Sequence, residues 1–369
     1  MKINPFKLER YFAKYEFTAS YLLSCSDCEP LSLKEILGLT DNETLALWND
    51  LKLSYTESLG HPLLRHEISK LYSSINPNQV IVLAPEEGIY ITMSSLLQKG
   101  DHLVVTFPGY QSLYEIANSH QCEISKWIPK YNQGWSFDIN DLKGLVRDNT
   151  KLIVINFPHN PTGATISESD LREIIEIAKK KNIIVFSDEM YRFLEHDPKT
   201  RISSACDLYD NAVSLFGMSK SFALAGSRIG WIATKNEEIL KKVAVYKDYT
   251  TICNSAPSEI LAIMALRAKD QLLHRNFEII NQNLSVLDEF FNQHKNEFEW
   301  KRPVAGPIAF PKLISEIKVD DFCLDLFEKN GVMLLPASVY DFEGNFFRIG
   351  FARKNMPEAL AQLNKFLSN

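Results

Sequence analysis

The middle of this chain alternates between short apolar runs and longer stretches with helical spacing, and this alternation restricts the fold more than any other feature. The runs are rich in Val and Ile, which is typical of strands buried on both faces. Strands that alternate with helices are joined by crossover connections, so the pattern predicts a mostly parallel sheet covered by helices. The six predicted strands lie at 79–83, 102–106, 152–157, 183–187, 212–216 and 229–233.

After residue 234 the alternation stops and a different pattern begins. Residues 236–269 indicate a long helix that breaks near 255–257, and a further helix is predicted over 275–296. Strands at 308–313, 332–335 and 345–351, with a closing helix over 356–367, then predict a smaller α+β lobe. Two lobes also suit a chain of 369 residues, because a single core usually stops growing at about 250–300 residues.

Composition excludes several classes of function. The net charge is −6 and no cluster of Lys and Arg is present, so neither nucleic acid nor an anionic membrane is expected as a partner. Residues 1–10 lack the apolar core of a signal peptide, and no apolar run approaches the roughly 20 residues of a membrane span, so we expect a soluble cytoplasmic protein. Cys25 and Cys28 form a lone Cys-x-x-Cys pair. We therefore expect structural free thiols and no metal site.

Polar and turn residues follow the predicted strands, at the position where ligands bind in an open α/β sheet. Each segment alone also fits an ordinary turn or helix cap. Together, in this order, they predict one pocket lined by an Asn, an Asp, a Tyr and a Lys. The segments after the first five strands are 84–88, 107–110, 159–163, 188–191 and 219–220.

These residues resemble those of the class I/II aminotransferases of fold type I, which depend on pyridoxal phosphate. The resemblance extends over nearly the whole chain, and its most specific parts are Asn160-Pro161-Thr162-Gly163, Asp188-x-x-Tyr191 and Ser219-Lys220 followed by Gly226-x-Arg228-x-Gly230. It implies an α/β fold in which a large domain has a mostly parallel seven-stranded sheet covered by helices, with a smaller α+β domain beside it. The implied division is 1–45 (N-terminal part of the small domain), 46–235 (large cofactor-binding domain), 236–270 (interdomain helix) and 271–369 (C-terminal part of the small domain).

The resemblance assigns roles around the cofactor ring. Lys220 is expected to form the Schiff base and to move the proton at the substrate α-carbon, which requires a neutral amine, and burial near other cations lowers a lysine pKa. Asp188 is expected to pair with the pyridine nitrogen, while Asn160 and Tyr191 bind the phenolic oxygen. Tyr110 is expected to stack on the ring, with a packed core aromatic as the alternative.

The phosphate is expected to bind Arg228, Ser219 and the turn at 84–87, because a guanidinium fork and a helix N-terminus both suit an anion. This turn departs from the family's common Gly-Ala-Ser/Thr pattern. Pro85 has no N–H to donate, and Glu86 and Glu87 bring carboxylates where a hydroxyl is usual.

One further departure lies near the lysine, since Gly217 stands where a Ser or Thr is often found. We therefore expect Ser219 and backbone groups to bind more of the phosphate, and the cofactor to bind more weakly than usual.

Two more residues carry the resemblance outside the sheet. Tyr55, in Tyr55-x-x-x-x-Gly60, resembles a tyrosine that reaches the neighbouring subunit's phosphate, which implies a homodimer; a core aromatic is the alternative. Arg348 resembles the arginine that clamps the substrate α-carboxylate, with Asn160 beside it, and a lone charge among aromatics would be costly without such a partner. Specificity is expected from residues 1–30 and the partner subunit, where Asp27 or Glu29 faces either a cationic side chain or solvent.

Three functions follow from these observations. The first is transamination between an L-amino acid and a 2-oxo acid. The second is a pyridoxal-dependent elimination or cyclisation on the same scaffold, as in capreomycidine-synthase-like enzymes, and the motifs do not separate it from the first. The third is a non-catalytic binding protein, which the intact Lys220 disfavours and which residues 1–45, too short and not basic, do not support.

Overall fold

The structure of the chain is a computed structural model that describes residues 2–368, with a large α/β lobe and a smaller α+β lobe. The helices are α1 (Lys7–Tyr15), α2 (Leu33–Gly38), α3 (Asn42–Asn49), α4 (Pro62–Ser69), α5 (Pro85–Leu96), α6 (Ser112–Ser119), α7 (Ile139–Leu145), α8 (Glu168–Lys181), α9 (Ala205–Leu208), α10 (Glu237–Lys247), α11 (Ala256–Arg267), α12 (Lys269–Gln293), α13 (Val319–Asn330) and α14 (Met356–Leu367).

The strands are short in the small lobe and longer in the large one. They are β1 (Tyr21–Leu22), β2 (Val80–Leu83), β3 (His102–Thr106), β4 (Glu123–Trp127), β5 (Thr150–Asn156), β6 (Ile184–Asp188), β7 (Ala212–Gly217), β8 (Gly230–Ala233), β9 (Phe298–Glu299), β10 (Ile308–Ala309), β11 (Lys312–Leu313), β12 (Val332–Met333), β13 (Leu335–Pro336) and β14 (Phe347–Gly350).

Seven strands form the sheet of the large lobe, in the order β2-β8-β7-β6-β5-β3-β4. The strands from β7 through β4 pair in parallel, and β8 runs antiparallel to both of its neighbours. The predicted fold, a mostly parallel seven-stranded sheet with a smaller α+β unit, is therefore confirmed. Because the parallel strands share a direction, their carboxyl ends meet at one edge.

The two faces of this sheet bury different sets of helices. Leu152 and Val154 of β5 pack in the cluster that contains side chains of α5 and α6. Ile153 and Ile155 pack in the cluster on the opposite face, with side chains of α7 and α8. Alternate residues of a strand point to opposite faces, so a continuous apolar run is what a strand covered on both sides requires.

Helix α8 shows how local sequence sets the connections between strands. Ser167 Oγ accepts from the Asp170 N–H at 3.1 Å, and the Asp170 carboxylate accepts from the Ser167 N–H at 3.0 Å. This reciprocal cap begins the helix, while three lysines in its last turn suit the negative end of the helix dipole. Asn182 then ends the helix in the left-handed conformation, which Asn tolerates better than most residues.

Some predicted elements differ from the observed ones. The sequence pattern did not predict β4. This strand lies at the edge of the sheet and has exposed residues at Glu123 and Lys126, so it does not form a continuous apolar run. The predicted strand at 308–313 divides into β10 and β11, because Pro311 removes a backbone donor from the ladder. The predicted break in the 236–269 helix corresponds to the gap between α10 and α11.

The small lobe joins the two ends of the chain. Strand β1 pairs in parallel with β12, and β14 lies between β10 and β13. Helices α13 and α14 pack on these strands around Phe322, Leu326 and Leu363. The domain boundaries at 45, 235 and 270 stay predictions. Within residues 2–368, no helix combines the length and apolar character that crossing a bilayer requires.

Candidate active site

A cavity of about 590 Å³ lies at the carboxyl edge of the large sheet, between that edge and residues near the N-terminus. It holds both the side chains that follow the strands and the arginine of β14. Of the residues predicted from sequence, Tyr55 and Glu87 do not line it. Those that do are Lys220, Asp188, Asn160, Tyr191, Ser219, Arg228, Tyr110, Glu86 and Arg348.

Lys220 follows β7 and is the nucleophile candidate in this cavity. Its Nζ donates to Ser26 Oγ at 2.8 Å. Burial lowers the pKa of the Lys220 amine below its ordinary value; the Asp27 carboxylate opposes this shift and the Arg348 guanidinium adds to it. A buried amine held by a neutral hydroxyl favours the uncharged form, which is the form that attacks a carbonyl.

Asp188 is the last residue of β6 and is 5% exposed. Its Oδ1 accepts from the Met190 N–H at 3.1 Å. Burial raises the pKa of Asp188 to about 7, while the Met190 hydrogen bond and Lys220 act in the opposite direction. Within the described residues this carboxylate makes no ion pair, so it is available to a cationic ligand atom in the cavity.

Tyr191 carries a buried hydroxyl that lies near Ser26 but has no hydrogen-bond partner in the described chain. Burial raises the pKa of this phenol well above its ordinary value. A buried polar group without a partner costs free energy. Its position on the cavity wall therefore indicates that a ligand atom satisfies it.

Asn160 is positioned by the turn after β5. Gly163 ends this turn at φ +68°, and a Cβ there would lie 2.7 Å from the Ala305 carbonyl oxygen, so only glycine fits. The Asn160 N–H donates to Asn156 Oδ1 at 2.8 Å. Asn156, which also lines the cavity, was not predicted from sequence; a polar residue at the end of an apolar strand was the available signal.

Arg348 of β14 is 1% exposed and makes no ion pair among residues 2–368. Its Nη1 donates to Tyr340 Oη at 2.6 Å and to Asn160 Oδ1 at 3.4 Å, and its Nη2 donates to the Ser24 carbonyl oxygen at 2.7 Å. All three partners are neutral, so the guanidinium is oriented but its charge is not balanced. A buried guanidinium in this state indicates an anionic ligand. Tyr340 is a second residue that the sequence reasoning missed.

The turn predicted to hold the phosphate lies where α5 begins at Pro85. Helix geometry leaves the first backbone N–H groups without intrahelical partners, so those of Glu86 and Glu87 are available. The Glu87 side chain points elsewhere, since it accepts from Thr250, from Thr251 Oγ1 at 2.8 Å and from the Ala84 N–H at 3.3 Å. Arg228 lines the cavity and is exposed, with a left-handed backbone at φ +56°.

The missing hydroxyl near the lysine has a packing explanation. A Cβ on Gly217 would lie 3.1 Å from Pro85 Cγ and 2.9 Å from Gly230 Cα, and a Cβ on Gly230 would lie 2.7 Å from Pro85 Cγ. The backbone of residues 229–230 and the proline ring therefore both restrict the space that a Ser or Thr at position 217 would need. The two departures from the family pattern, Pro85 and Gly217, lie next to each other in the fold.

Glu86 places a second carboxyl group in the cavity. Its Oε2 accepts from Ser112 Oγ at 3.1 Å. Burial raises the pKa of Glu86 to about 7, with Glu9 and Asp188 adding to the shift and the hydrogen bond from Ser112 opposing it. Because the pKa of Glu86 is higher in the folded state than in the unfolded state, the free energy of unfolding is highest at low pH. It falls as the pH rises toward 7.

Replacing Glu86 with glutamine is therefore expected to stabilise the cofactor-free protein more at pH 8.5 than at pH 5. The gain relative to wild type should be larger at pH 8.5 by about 1–3 kcal/mol, the linkage energy reduced for partial solvent screening. Chemical denaturation of both proteins at both pH values measures this difference. Glu237→Gln, on an exposed first turn of α10, should keep the wild-type pH dependence, and an equal gain at both pH values would contradict the prediction.

Residues near the N-terminus form the wall of the cavity that faces the lysine. We call this the N-terminal wall, and Asp27 is the member that the sequence analysis named individually for substrate specificity. Tyr110, which is expected to stack on the cofactor ring, is bound to this wall, because its hydroxyl donates to Glu9 Oε1 at 3.0 Å. The N-terminal wall consists of Phe6, Leu8, Glu9, Arg10, Phe12, Glu16, Cys25, Ser26 and Asp27.

The cysteines are free thiols in the described chain. All six cysteines are free, and Cys25 and Cys28 are buried without bonding to each other. Burial raises the pKa of Cys25 to about 11 and that of Cys28 to about 12, which disfavours their reactive thiolate forms. Residues 2–368 contain no cluster of three or more potential metal ligands.

Comparison with known proteins gives a consistent family. Residues 42–363 match the family model described as aminotransferase class I and II. The chain is 27% identical over 314 residues to capreomycidine synthase from Streptomyces vinaceus (84% of this chain, 80% of that protein). It is 26% identical over 337 residues to aspartate aminotransferase from Sulfurisphaera tokodaii (85% of this chain, 82% of that protein).

Two solved structures extend the comparison. A PLP-dependent aminotransferase from Streptococcus suis 89-1591 superposes with a TM-score of 0.92 at 31% identity, covering 100% of this chain and 98% of that one. The PLP-dependent cyclase OrfR superposes with a TM-score of 0.90 at 26% identity, with the same coverage. The similarity therefore includes both an aminotransferase and a cyclase.

Proposed function

Because this chain belongs to the class I and II aminotransferase family and depends on pyridoxal phosphate, we propose that it moves an amino group between an L-amino acid and a 2-oxo acid. One observation carries the proposal. A half-buried lysine with a lowered pKa, a buried aspartate and a buried arginine without a counter-ion meet in a single cavity. This set can attack a carbonyl, balance a ring cation and bind a carboxylate.

The residues present fit the cofactor. When bound, pyridoxal phosphate supplies an aldehyde that condenses with amines and a ring that withdraws electrons from the substrate α-carbon. Asp188 would pair with the ring nitrogen, and the orphaned Tyr191 hydroxyl would, with Asn160, bind the ring oxygen. The Tyr110 ring would pack against the ring face.

The phosphate would bind Arg228, Ser219 and the backbone N–H groups at the start of α5. Ser219 is buried on the cavity wall directly before the lysine. Since Gly217 and Pro85 remove two donors that the family commonly uses, these groups bear more of the phosphate charge.

Arg348 and Lys220 would act on different parts of the substrate. Arg348 would hold the α-carboxylate with its guanidinium, whose direction Tyr340 and Ser24 already set. This places the substrate amino group toward Lys220, whose neutral amine can remove the proton from the α-carbon and return it at a different atom.

A second candidate function is elimination or cyclisation. The resemblance to capreomycidine synthase and to the cyclase OrfR supports it, because both span most of this chain. Both reactions begin by removing the α-proton, so the lysine and the arginine would have the same roles. They differ in whether a substituent on the β-carbon leaves.

A single-turnover experiment separates the two functions. We expect an amino acid to convert the bound cofactor stoichiometrically from its aldehyde to its amine form, with release of a 2-oxo acid, and a 2-oxo acid to restore the aldehyde form. Absorbance spectra and product analysis measure both steps. Product with a lost β-substituent or a new ring, while the cofactor stays in its aldehyde form, would favour the second function.

The expected homodimer has support in the exposed apolar surface. Tyr55 is 86% and Tyr249 89% exposed, and Leu53 and Ile252 are exposed beside them in sequence. Thr56 Oγ1 donates to the Asn254 carbonyl oxygen at 3.3 Å, which joins these two segments. Thr250 and Thr251 contact Glu87 at the start of α5. Apolar side chains this exposed are typical of an interface, and this one adjoins the phosphate turn.

Mixing two inactive variants tests whether Tyr55 completes a partner's site. Subunits with Lys220→Ala and subunits with Tyr55→Ala, exchanged at equal amounts, should recover about a quarter of wild-type activity at limiting cofactor, because half of the dimers then have one intact site. Neither variant alone should show this activity. Lys220→Ala mixed with Asp188→Ala is the control, since both changes affect the same subunit's site, and recovery there or none in the first mixture would contradict the prediction.

A further inference from the structure

The N-terminal wall carries three carboxylates, those of Glu9, Glu16 and Asp27, in the same cavity as Lys220 and Arg348. Glu9 lies on α1 and Glu16 directly follows it. The close approach of β14 sets the position of the segment that carries Asp27, since a Cβ on Gly350 would lie 1.9 Å from the Cys25 carbonyl oxygen. Glu9 is held at the cavity wall by the hydrogen bond from the Tyr110 hydroxyl.

The charge of one of these carboxylates is balanced and that of the other two is not. Asp27 accepts from Arg353 Nη2 at 2.9 Å with both oxygens. Glu9 accepts only a neutral hydroxyl, that of Tyr110. Neither Glu9 nor Glu16 makes an ion pair with Lys, Arg or His in the part of the chain that the structure describes, and Arg10 on the same wall pairs with neither.

The pKa of Glu16 also indicates unbalanced negative charge on this wall. Burial, followed by the neighbouring carboxylates of Asp27 and Glu9, raises the pKa of Glu16 above its ordinary value. Arg353 and Lys220 only partly offset this. The wall therefore has an excess of negative charge that a cation in the cavity would relieve.

The geometry of an amino acid directs its side chain to this wall. Two substituents of the α-carbon are assigned, the carboxylate to Arg348 and the amino group to the Lys220 end of the cavity. Arg348 without a counter-ion and Tyr191 with an orphaned hydroxyl are independent signs that a ligand binds there. The third substituent then extends toward the remaining wall, which carries Glu9 and Glu16.

We propose, on the basis of the proposed function, that the amino acid substrate has a cationic side chain, a guanidinium or an ammonium group, which Glu9 and Glu16 bind. An acidic side chain would instead meet two carboxylates of like charge. The aspartate aminotransferase that this chain resembles shares 26% of aligned residues, and this wall is a feature by which substrate choice can differ.

Arginine and citrulline test the proposal because they have nearly the same shape and differ in charge. We expect the single-turnover kcat/KM of the wild-type holoenzyme to be higher for L-arginine than for L-citrulline by about tenfold or more, the contribution of a charged hydrogen bond. L-lysine should also exceed L-norleucine, and L-glutamate should be the poorest. Glu9→Gln and Glu16→Gln should each reduce the arginine-to-citrulline ratio, and the double variant should bring it close to one.

Controls separate this proposal from the proposed function. Glu29→Gln is the matched variant, because Glu29 belongs to the same segment and accepts from the Lys354 N–H, outside the cavity lining; its ratio should equal that of wild type. A wild-type ratio near or below one, a preference for glutamate, or an unchanged ratio in the double variant would overturn the cationic substrate while leaving transamination intact. Failure of every amino acid to convert the cofactor would overturn both.

Discussion

Replacing Lys220 with alanine is expected to remove turnover, with a loss of about 10⁴-fold or more, since both nucleophile and proton carrier disappear. The fold should persist. Within the described chain, the Lys220 side chain makes one hydrogen bond, to Ser26 Oγ. The change removes an amine whose charged form burial already disfavours. Circular dichroism and thermal melting should therefore resemble those of wild type.

A chemical readout makes this prediction independent of activity. Borohydride reduction of the wild-type holoenzyme should attach the cofactor covalently to the peptide that contains Lys220, as measured by mass spectrometry, and the variant should show no such attachment. Lys235→Ala is the control, because Lys235 follows β8 in the same lobe and lies outside the cavity lining. Turnover in the Lys220→Ala protein, or labelling of another lysine in wild type, would refute the assignment.

Replacing Arg348 with methionine is expected to reduce kcat/KM for amino acids by about 10²–10³-fold, the cost of removing one partner of a buried charged pair. Methionine fills most of the volume without the charge. The Tyr340 hydroxyl and the Ser24 carbonyl oxygen lose their donor, and removal of an unbalanced buried charge offsets that cost, so the free energy of unfolding should change little. Cofactor content should stay close to that of wild type, because Arg348 is assigned to the substrate.

A substrate without a carboxylate shows whether the loss arises where we place it. Wild type should discriminate strongly between an amino acid and the corresponding simple amine, and Arg348→Met should lose most of this discrimination. Tyr340→Phe removes only the hydroxyl that orients the guanidinium, so we expect a smaller loss of about tenfold. An equal loss for the amine and the amino acid in Arg348→Met would indicate general damage to the cavity.

Much of this site could be predicted because it follows from local patterns. Asp188 ends β6, and Asn160 follows β5, the strand that pairs with β6 in parallel. A run of buried strands with crossover helices brings the residues that follow the strands to one edge, whatever the details of packing. The order of Asn, Asp, Tyr and Lys along the chain was therefore enough to predict that they share a cavity.

The phosphate turn could be predicted only in part. The sequence indicated that Pro85 and Gly217 depart from the family pattern, but not that they are in contact. Their proximity is a tertiary distance, 3.1 Å between the proline ring and the position that a Cβ on Gly217 would take. The raised pKa of Glu86 could not be predicted from the sequence either. It follows from burial near Glu9 and Asp188, which lie far away in sequence.

The strands, their mostly parallel order and the residues beyond their ends follow from the sequence, since hydrophobic spacing and turn residues act over a few positions. The N-terminal wall and the partners of Arg348 follow from the tertiary structure alone. Arg348 donates to a carbonyl 324 residues earlier, and Glu9 meets Tyr110 across 101 residues. Contacts at this separation depend on how whole elements pack against each other. For this protein, the residues beyond the strand ends are set locally, and the N-terminal wall that faces them depends on that packing.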